Sequence, residues 1–403
     1  MFKNLSLKVI LFGFIFTFFS SFGQSFFLGL FNNSIRNELS ITHGQFGSIY
    51  ASATLLSSFV LIWVGKKIDD INISKFAFFV ILLLSFSSFF FSTISSISLL
   101  FIAIFLMRFS GQGMMSHTAT TTVSRYFTKS RGKALSTIWF GLSTAEFILP
   151  VFVIFLLSLY DWKIIWISIS LLVLLILPIT SIILVKNLNF NSRETEQKKG
   201  SKNLNIKNWK RIEVIKDYRF YIICANMLDM PWIATGTFVY QSFILNSKNW
   251  GPYIIAQSFM AYSVLSVITL IISGILIDKF TSRKLIIYMN ITLLISVFVI
   301  MYFEHPFTAF IFLGLIGISN GFANVLGSST WAEIYGVKYI GSIKALTTAL
   351  MVFATAFGTA LFGFLIDNGY KIEEIALISA LYISLSLILL FLIRGKLNPI
   401  KIN

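Results

Sequence analysis

The sequence predicts an all-α integral membrane protein with twelve transmembrane helices in two six-helix pseudo-repeats. Three observations carry this. First, 56% of the 403 residues are hydrophobic and 12% are charged, with 44 phenylalanines. A soluble domain carries about twice that charged fraction, and a mean hydropathy of +0.84 over this length means that lipid is the solvent for most of the chain. Second, the apolar residues fall into twelve runs of bilayer-crossing length. Third, one charged phrase occurs twice. GKKIDDINISK at 65–75 and GILIDKFTSRK at 274–284 share a glycine, an aspartate and a lysine, each pair 209 residues apart.

About 20 apolar residues cross a bilayer as a helix. The runs lie at about 9–31, 46–65, 76–96, 98–124, 134–158 and 163–185, then 219–245, 252–276, 285–303, 305–331, 345–367 and 375–393. Lys3 and Lys8 ahead of the first run resemble a signal-peptide n-region. The run is too long for an h-region and ends in no small-x-small site, so it reads as a span. The runs are continuous, without the period-2 alternation of a β-barrel. Each twin phrase falls in the loop between the second and third spans of its half. RGKAL at 131–135 and GSIKAL at 341–346 both lead into a fifth span, with Ala134 and Ala345 separated by 211 residues. Between the halves lies the only long polar stretch, including NFNSRETEQKKGSKNLNIKNWKRIE. The expected division is a six-helix half at 1–186, a basic linker at 187–217 and a second half at 218–403. Two-fold repeats of this kind build many secondary transporters.

Lys and Arg set the orientation. With the N-terminus cytoplasmic, 27 of the 32 fall in cytoplasmic segments, four fall outside and one, Arg108, lies within a span. Both termini are therefore expected in the cytoplasm and the protein in a plasma membrane, the inner membrane of a bacterium. The net charge of +16 then faces anionic lipid, and no nucleic-acid partner is needed to explain it. Cys224 is alone, so no intrachain disulfide forms. No cysteine pair, histidine cluster or Gly-x-x-x-x-Gly-Lys-Ser/Thr loop is written in the chain. No enzyme, cofactor, metal or ATP-driven pump is expected.

The sequence resembles the major facilitator superfamily over essentially its full length. That family's loop signature is Gly-x-x-x-Asp-Arg/Lys-x-Gly-Arg-Arg/Lys. The second phrase matches at Gly274, Asp278, Lys279 and Arg283, with Lys284 just beyond, while Thr281 and Ser282 depart from it. The first keeps Gly65, Asp69 and Lys75, with Asp70 and Asn72 as departures. RFSGQG at 108–113 is similar to the fourth-span motif, and DWKIIW at 161–166 to the stretch that opens the sixth span. The resemblance implies a central cavity lined by spans 1, 4, 7 and 10, with spans 3, 6, 9 and 12 as lipid-facing scaffold. It implies a monomer that moves a small molecule by alternating access. It also implies that the loop aspartates latch the cytoplasmic side: Asp69 with Arg131 or Lys133, and Asp278 with Arg283 or Lys344. The plainer alternative is a solvated basic loop with helix-end charges.

A buried ionisable side chain in a span costs at least about 2.5 kcal/mol. Three lie well inside apolar runs: Arg108, Glu146 and Asp229. Arg108 shares a helical face with Gln112, Met115 and Ala119. Its planar fork suits an anion, and a structural ion pair is the alternative. Asp229, in IICANMLDMPWIATG, has Asn226 one turn before it and Pro231 after it. The proline invites a helix break. Asp229 reads either as a substrate and proton-coupling group or as a fixed partner of Arg108. Glu146, in FGLSTAEFILP, reads as a partner of Arg108 first and a proton site second. Asn320, Asn324 and Ser328 form a polar stripe on span 10, either cavity lining or helix glue. Gln24 and Phe27 on span 1 read as cavity contacts, and His117 as a packing histidine.

The expected function is a proton-coupled secondary transporter for a small organic anion. Spans 4, 10 and 11, including SNGFANVLGSSTWAEIYG, look most like bacterial members near the monocarboxylate and oxalate/formate branch. Span 8 departs, because its apolar run holds no charge. One alternative is a proton-coupled exporter of amphipathic or cationic compounds. Another is a non-transporting receptor or sensor on the same scaffold.

Overall fold

The computed structural model describes residues 2–68, 70–127, 131–185 and 207–400. Among the described residues twelve helices are long and apolar enough to cross a membrane. Spans 1–6 are Ser6–Gly23, His43–Ile68, Ile73–Phe91, Ile97–Tyr126, Lys133–Leu157 and Trp162–Ser181. Spans 7–12 are Tyr218–Val239, Ile254–Ile277, Ser282–Tyr302, Thr308–Tyr335, Ile340–Asp367 and Ile372–Leu392. The chain clusters into two compact units, residues 1–201 and 202–403. The first 20 positions of the expected linker, 187–206, lie outside the described residues. Within the rest of it, Arg211–Ile215 is helical.

Each unit packs its helices in the same pairs. Span 1 lies on span 5, span 2 on span 4 and span 3 on span 6; span 7 lies on span 11, span 8 on span 10 and span 9 on span 12. Small residues permit the close approaches, since packing rather than hydrophobic exclusion joins helices in lipid. A Cβ added to Gly141 of span 5 would stand 2.1 Å from the Phe14 carbonyl oxygen, and one on Gly358 of span 11 2.1 Å from that of Trp232. Both neighbours are backbone and cannot swing aside. Gly358→Ala is therefore expected to cost about 1–3 kcal/mol by overpacking. A wild-type thermal unfolding midpoint for that variant would show that spans 7 and 11 do not approach this closely.

Outward faces remain apolar. Leu175 and Ile179 on span 6 are 65% and 62% exposed, and Leu381 and Leu392 on span 12 are 63% and 71% exposed. Such surface suits lipid and would be a liability in water.

Three spans depart from the sequence expectation. The first run is not one helix. It is α-helical over Phe2–Ser20, 3-10 over Ser21–Gly23, and resumes at Ser25–Leu28. The interruption is Gln24, whose backbone is extended at φ −83° and ψ 154°. Span 4 contains a π-helical stretch, Arg108–Met115. Span 7 runs as one α-helix through Pro231, so the break expected there does not occur. The lost hydrogen bond of a proline can be tolerated where neighbouring helices and polar side chains re-satisfy the freed groups.

Candidate functional site

In the N-terminal unit, the site is built where span 1 stops being a helix. Gly23 and Gly111 touch backbone to backbone: a Cβ on Gly111 would lie 2.6 Å from the Gly23 nitrogen, and one on Gly23 2.3 Å from the Met107 carbonyl oxygen. This contact brings the free end of the Ser21–Gly23 turn to Arg108. Nη1 of Arg108 donates to the Gly23 carbonyl at 3.1 Å and to Ser25 Oγ at 3.2 Å. The guanidinium stands 5.3 Å from the Tyr50 ring centroid, and the Tyr50 hydroxyl donates to Ser25 Oγ at 3.0 Å. Arg108 is 2% exposed, and its Nε is buried without a partner. Every partner is electrically neutral, and Arg108 forms no ion pair among the described residues.

Two sequence expectations are corrected here. Glu146 does not pair with Arg108. It is 7% exposed on span 5 and forms no ion pair among the described residues. Phe27 packs inside its unit, fully buried, with its ring edge-on to Trp166 of span 6 at 5.6 Å and beside Phe31 and Phe22. It is a core residue, drawn there by an aromatic cluster that Phe91 of span 3 completes against Trp166. The π-turn also disturbs the face expected for Arg108, because i→i+5 closure breaks the 3.6-residue spacing. Met115 and Ala119 are fully buried, whereas Gln112 and Gln24 are half-buried.

In the C-terminal unit, Asp229 is fully buried. Its Oδ2 accepts from Asn290 Nδ2 at 2.8 Å and from Ser386 Oγ at 2.7 Å. Asn290 Nδ2 also donates to the Asn226 carbonyl, and Asn226 Nδ2 donates to Ser386 Oγ. Ser319 of span 10 donates to Asn290 Oδ1 at 3.3 Å. Asp229 therefore faces spans 9 and 12, which the sequence assigned to scaffold. It forms no ion pair among the described residues. Asp229 Oδ1 and Asn226 Oδ1 are both buried without a partner. Sequence reasoning gave neither Asn290 nor Ser386 a role. On span 10, Asn320 donates to Ser266 Oγ of span 8 at 2.9 Å, acting as helix glue, and Asn324 is exposed. Ser328's side chain lies outside the described residues.

Of the expected latch, Asp69 lies outside the described residues, as do the side chains of Arg131 and Asp278. Lys133 and Lys344 are exposed. The surrounding loops are held by groups outside the expected latch. In the first half, His117 Nε2 meets the Gly65 carbonyl at 3.0 Å, and Arg125 donates to the Ile68 carbonyl at 3.1 Å. In the second half, the loop after Gly274 is held by Glu333, which accepts from the backbone N–H of Ser282 at 2.9 Å and of Arg283 at 3.1 Å. A cation at a helix's carbonyl end and a carboxylate at its amide end both complement the helix dipole. A further cluster joins the start of span 7 to the C-terminal tail. Arg219 pairs with Asp217 at 2.7 Å and donates to the carbonyls of Lys396 and Asn398, while the Tyr335 hydroxyl donates to Asp217.

Twelve spans in two repeats, with buried unpaired charges at a broken helix and in a polar network, define a polytopic membrane carrier. The sequence profile of the Major Facilitator Superfamily matches residues 13–240 and 221–401, and the chain belongs to that family of secondary transporters. Among solved structures it is similar to a bacterial homologue of the human lysosomal transporter Spinster in an inward-facing, unoccupied conformation. The TM-score is 0.72 and the identity 12%, covering 98% of this chain and 97% of that one. It is likewise similar to the nucleoside transporter NupG, with a TM-score of 0.71 and 14% identity, covering 98% and 99%. At these identities the likeness concerns the fold. No curated protein matches the chain at a significant level by sequence.

Proposed function

We propose that the protein carries a small organic anion of the monocarboxylate type across the membrane by alternating access, coupled to protons, as in the monocarboxylate and oxalate/formate branch. Arg108 carries the reading. A guanidinium 2% exposed among neutral groups is an expensive arrangement, and Nε still has a hydrogen to donate. A carboxylate supplies both the missing charge and the missing acceptor, in the geometry that guanidinium favours. Gln24 and Gln112, half-buried beside this turn, supply neutral contacts to the rest of the solute. Asn324, exposed on span 10, is a further candidate for solute contact, whereas Asn320 is held by Ser266.

Asp229 is the proposed proton carrier. A proton on Oδ1 neutralises the buried carboxylate and converts an orphaned acceptor into a donor. Asn226 Oδ1, three residues back on the same helix face, is an orphaned acceptor itself. Glu146 is the second candidate. In Asp229→Asn proteoliposomes, anion counterflow is expected to persist while anion-driven lumenal acidification is lost. Unchanged acidification in that variant would assign the proton elsewhere, with Glu146→Gln next to be measured.

The deciding experiment adds small carboxylates and lipophilic cations, in turn, to wild-type proteoliposomes holding a pH-sensitive dye. Acidification with a carboxylate supports the reading. A response to the cations alone overturns it in favour of an exporter, which the two buried carboxylates without ion pairs would then serve. Binding without flux of either would mark a receptor.

A further inference from the structure

The end of the C-terminal unit that bears the tail contains a cavity of about 470 Å³. It opens where span 9 begins and span 12 has just ended. Three cations line it, Arg283, Lys284 and Arg394, alongside Leu285, Tyr288 and Leu397. None of the three cations forms an ion pair among the described residues. Arg394 lies 3.9 Å from the Phe391 ring centroid, which fixes its position without neutralising it. Glu333, the carboxylate bound to this loop, accepts from the backbone N–H groups of Ser282 and Arg283. Arg283 is also a candidate partner of Asp278, but Lys284 and Arg394 have no part in that latch.

We propose that this cavity is a binding site for the headgroup of an anionic glycerophospholipid. The cations converge at the level where two spans leave the hydrocarbon, which is where lipid phosphates sit. Phe280, Leu285, Ile287 and Leu397 make much of the remaining wall apolar, and apolar surface continues away from the mouth. Tyr288, Ile291 and Ile295 of span 9 are 62%, 39% and 46% exposed, and Ile388 and Leu392 of span 12 are 57% and 71% exposed. Spans 9 and 12 pack against each other, so their outer faces form one track for acyl chains. A soluble phosphate would find the cations but has no use for the track. A phospholipid engages both, and an aromatic ring at the interface suits its glycerol region.

The diffuse attraction of a basic surface for anionic lipid makes a different prediction from a built site, and the two separate by experiment. The full-length protein is delipidated in detergent and titrated with phosphatidylglycerol or phosphatidylethanolamine, and bound lipid is counted by native mass spectrometry. Wild type is expected to retain phosphatidylglycerol at least about tenfold more tightly than Lys284→Gln/Arg394→Gln. Lys75→Gln/Lys216→Gln, which removes the same charge at exposed positions elsewhere, is expected to bind as wild type does. Equal losses in the two double variants would overturn the proposal in favour of general surface charge. Displacement of the lipid by millimolar inorganic phosphate would overturn it in favour of a soluble-anion site. Equal retention of the two lipids by wild type would remove the role of headgroup charge. The readout does not depend on transport, so it stands apart from the identity of the solute.

Discussion

Arg108→Ala is expected to reduce anion uptake by at least about 30-fold while leaving the unliganded protein close to wild-type stability. The two effects separate because of what surrounds the guanidinium. Removing one partner of a buried, hydrogen-bonded charge pair costs about 2–5 kcal/mol, and in the proposed complex that pair is arginine with substrate. Without substrate, Arg108 has only a carbonyl, a hydroxyl and a ring as partners. Its removal abolishes a charge that was costly to bury and orphans the Gly23 carbonyl, two changes of opposite sign. A structural ion pair would behave differently, since breaking it destabilises by about 3–5 kcal/mol. Arg108→Lys keeps the charge and loses the fork, so uptake should fall to an intermediate value. The measurements are initial uptake rates in proteoliposomes and thermal unfolding of the same preparations without substrate. Collapse of the unfolding midpoint in Arg108→Ala, with uptake per folded molecule preserved, would make the residue structural.

Arg219→Ala is expected to have the largest effect on stability, about 3–5 kcal/mol. Its pair with Asp217 is almost wholly enclosed, the two side chains being 9% and 5% exposed. Arg219 also donates to the carbonyls of Lys396 and Asn398 and lies over the rings of Trp209 and Tyr335. Truncating it leaves a buried carboxylate with only the Tyr335 hydroxyl and a backbone N–H as donors. Asp217→Ala should cost a similar amount for the converse reason. The double variant should lose less than the sum, because neither charge is then stranded. Denaturation midpoints for the four proteins close the cycle, and strict additivity would show that the pair is not coupled.

The spans were legible because bilayer thickness is a one-dimensional constraint. Span 6, expected at 163–185, begins at Trp162, and span 12, expected at 375–393, is Ile372–Leu392. The buried ionisable positions were legible for a related reason: Arg108, Glu146 and Asp229 interrupt apolar runs, and all three are buried. Their partners were not legible. Arg108 reaches Gly23 across 85 residues, and Asp229 reaches Ser386 across 157, distances over which helical periodicity carries no information. The sequence offered these charges one another as partners, Arg108 with Asp229 or with Glu146. The fold supplied hydroxyls, amides and carbonyls, which are too common in these spans to stand out. Gly23 and Gly111 sit in SFGQS and RFSGQG, but their importance arises only when the two segments meet. Arg125 and Glu333 had a weaker signal. They lie 208 residues apart, almost the spacing of the twin loops, and hold corresponding loops with opposite charges.

The π-helical stretch Arg108–Met115 has a genetic consequence. A π-turn contains one residue more than the α-turn it replaces, so span 4 can be read as an α-helix that has accepted an insertion. Deleting a single residue between Ser110 and Met114 would let the helix close as an ordinary one. The helices on either side, Ile97–Met107 and Ser116–Tyr126, would keep their places, while the turn itself would be re-aimed and Gly111 would lose the backbone contact that brings Gly23 to Arg108. A one-codon deletion in the middle of a membrane helix, usually ruinous, should here yield a folded protein that has lost its grip on the proposed anion.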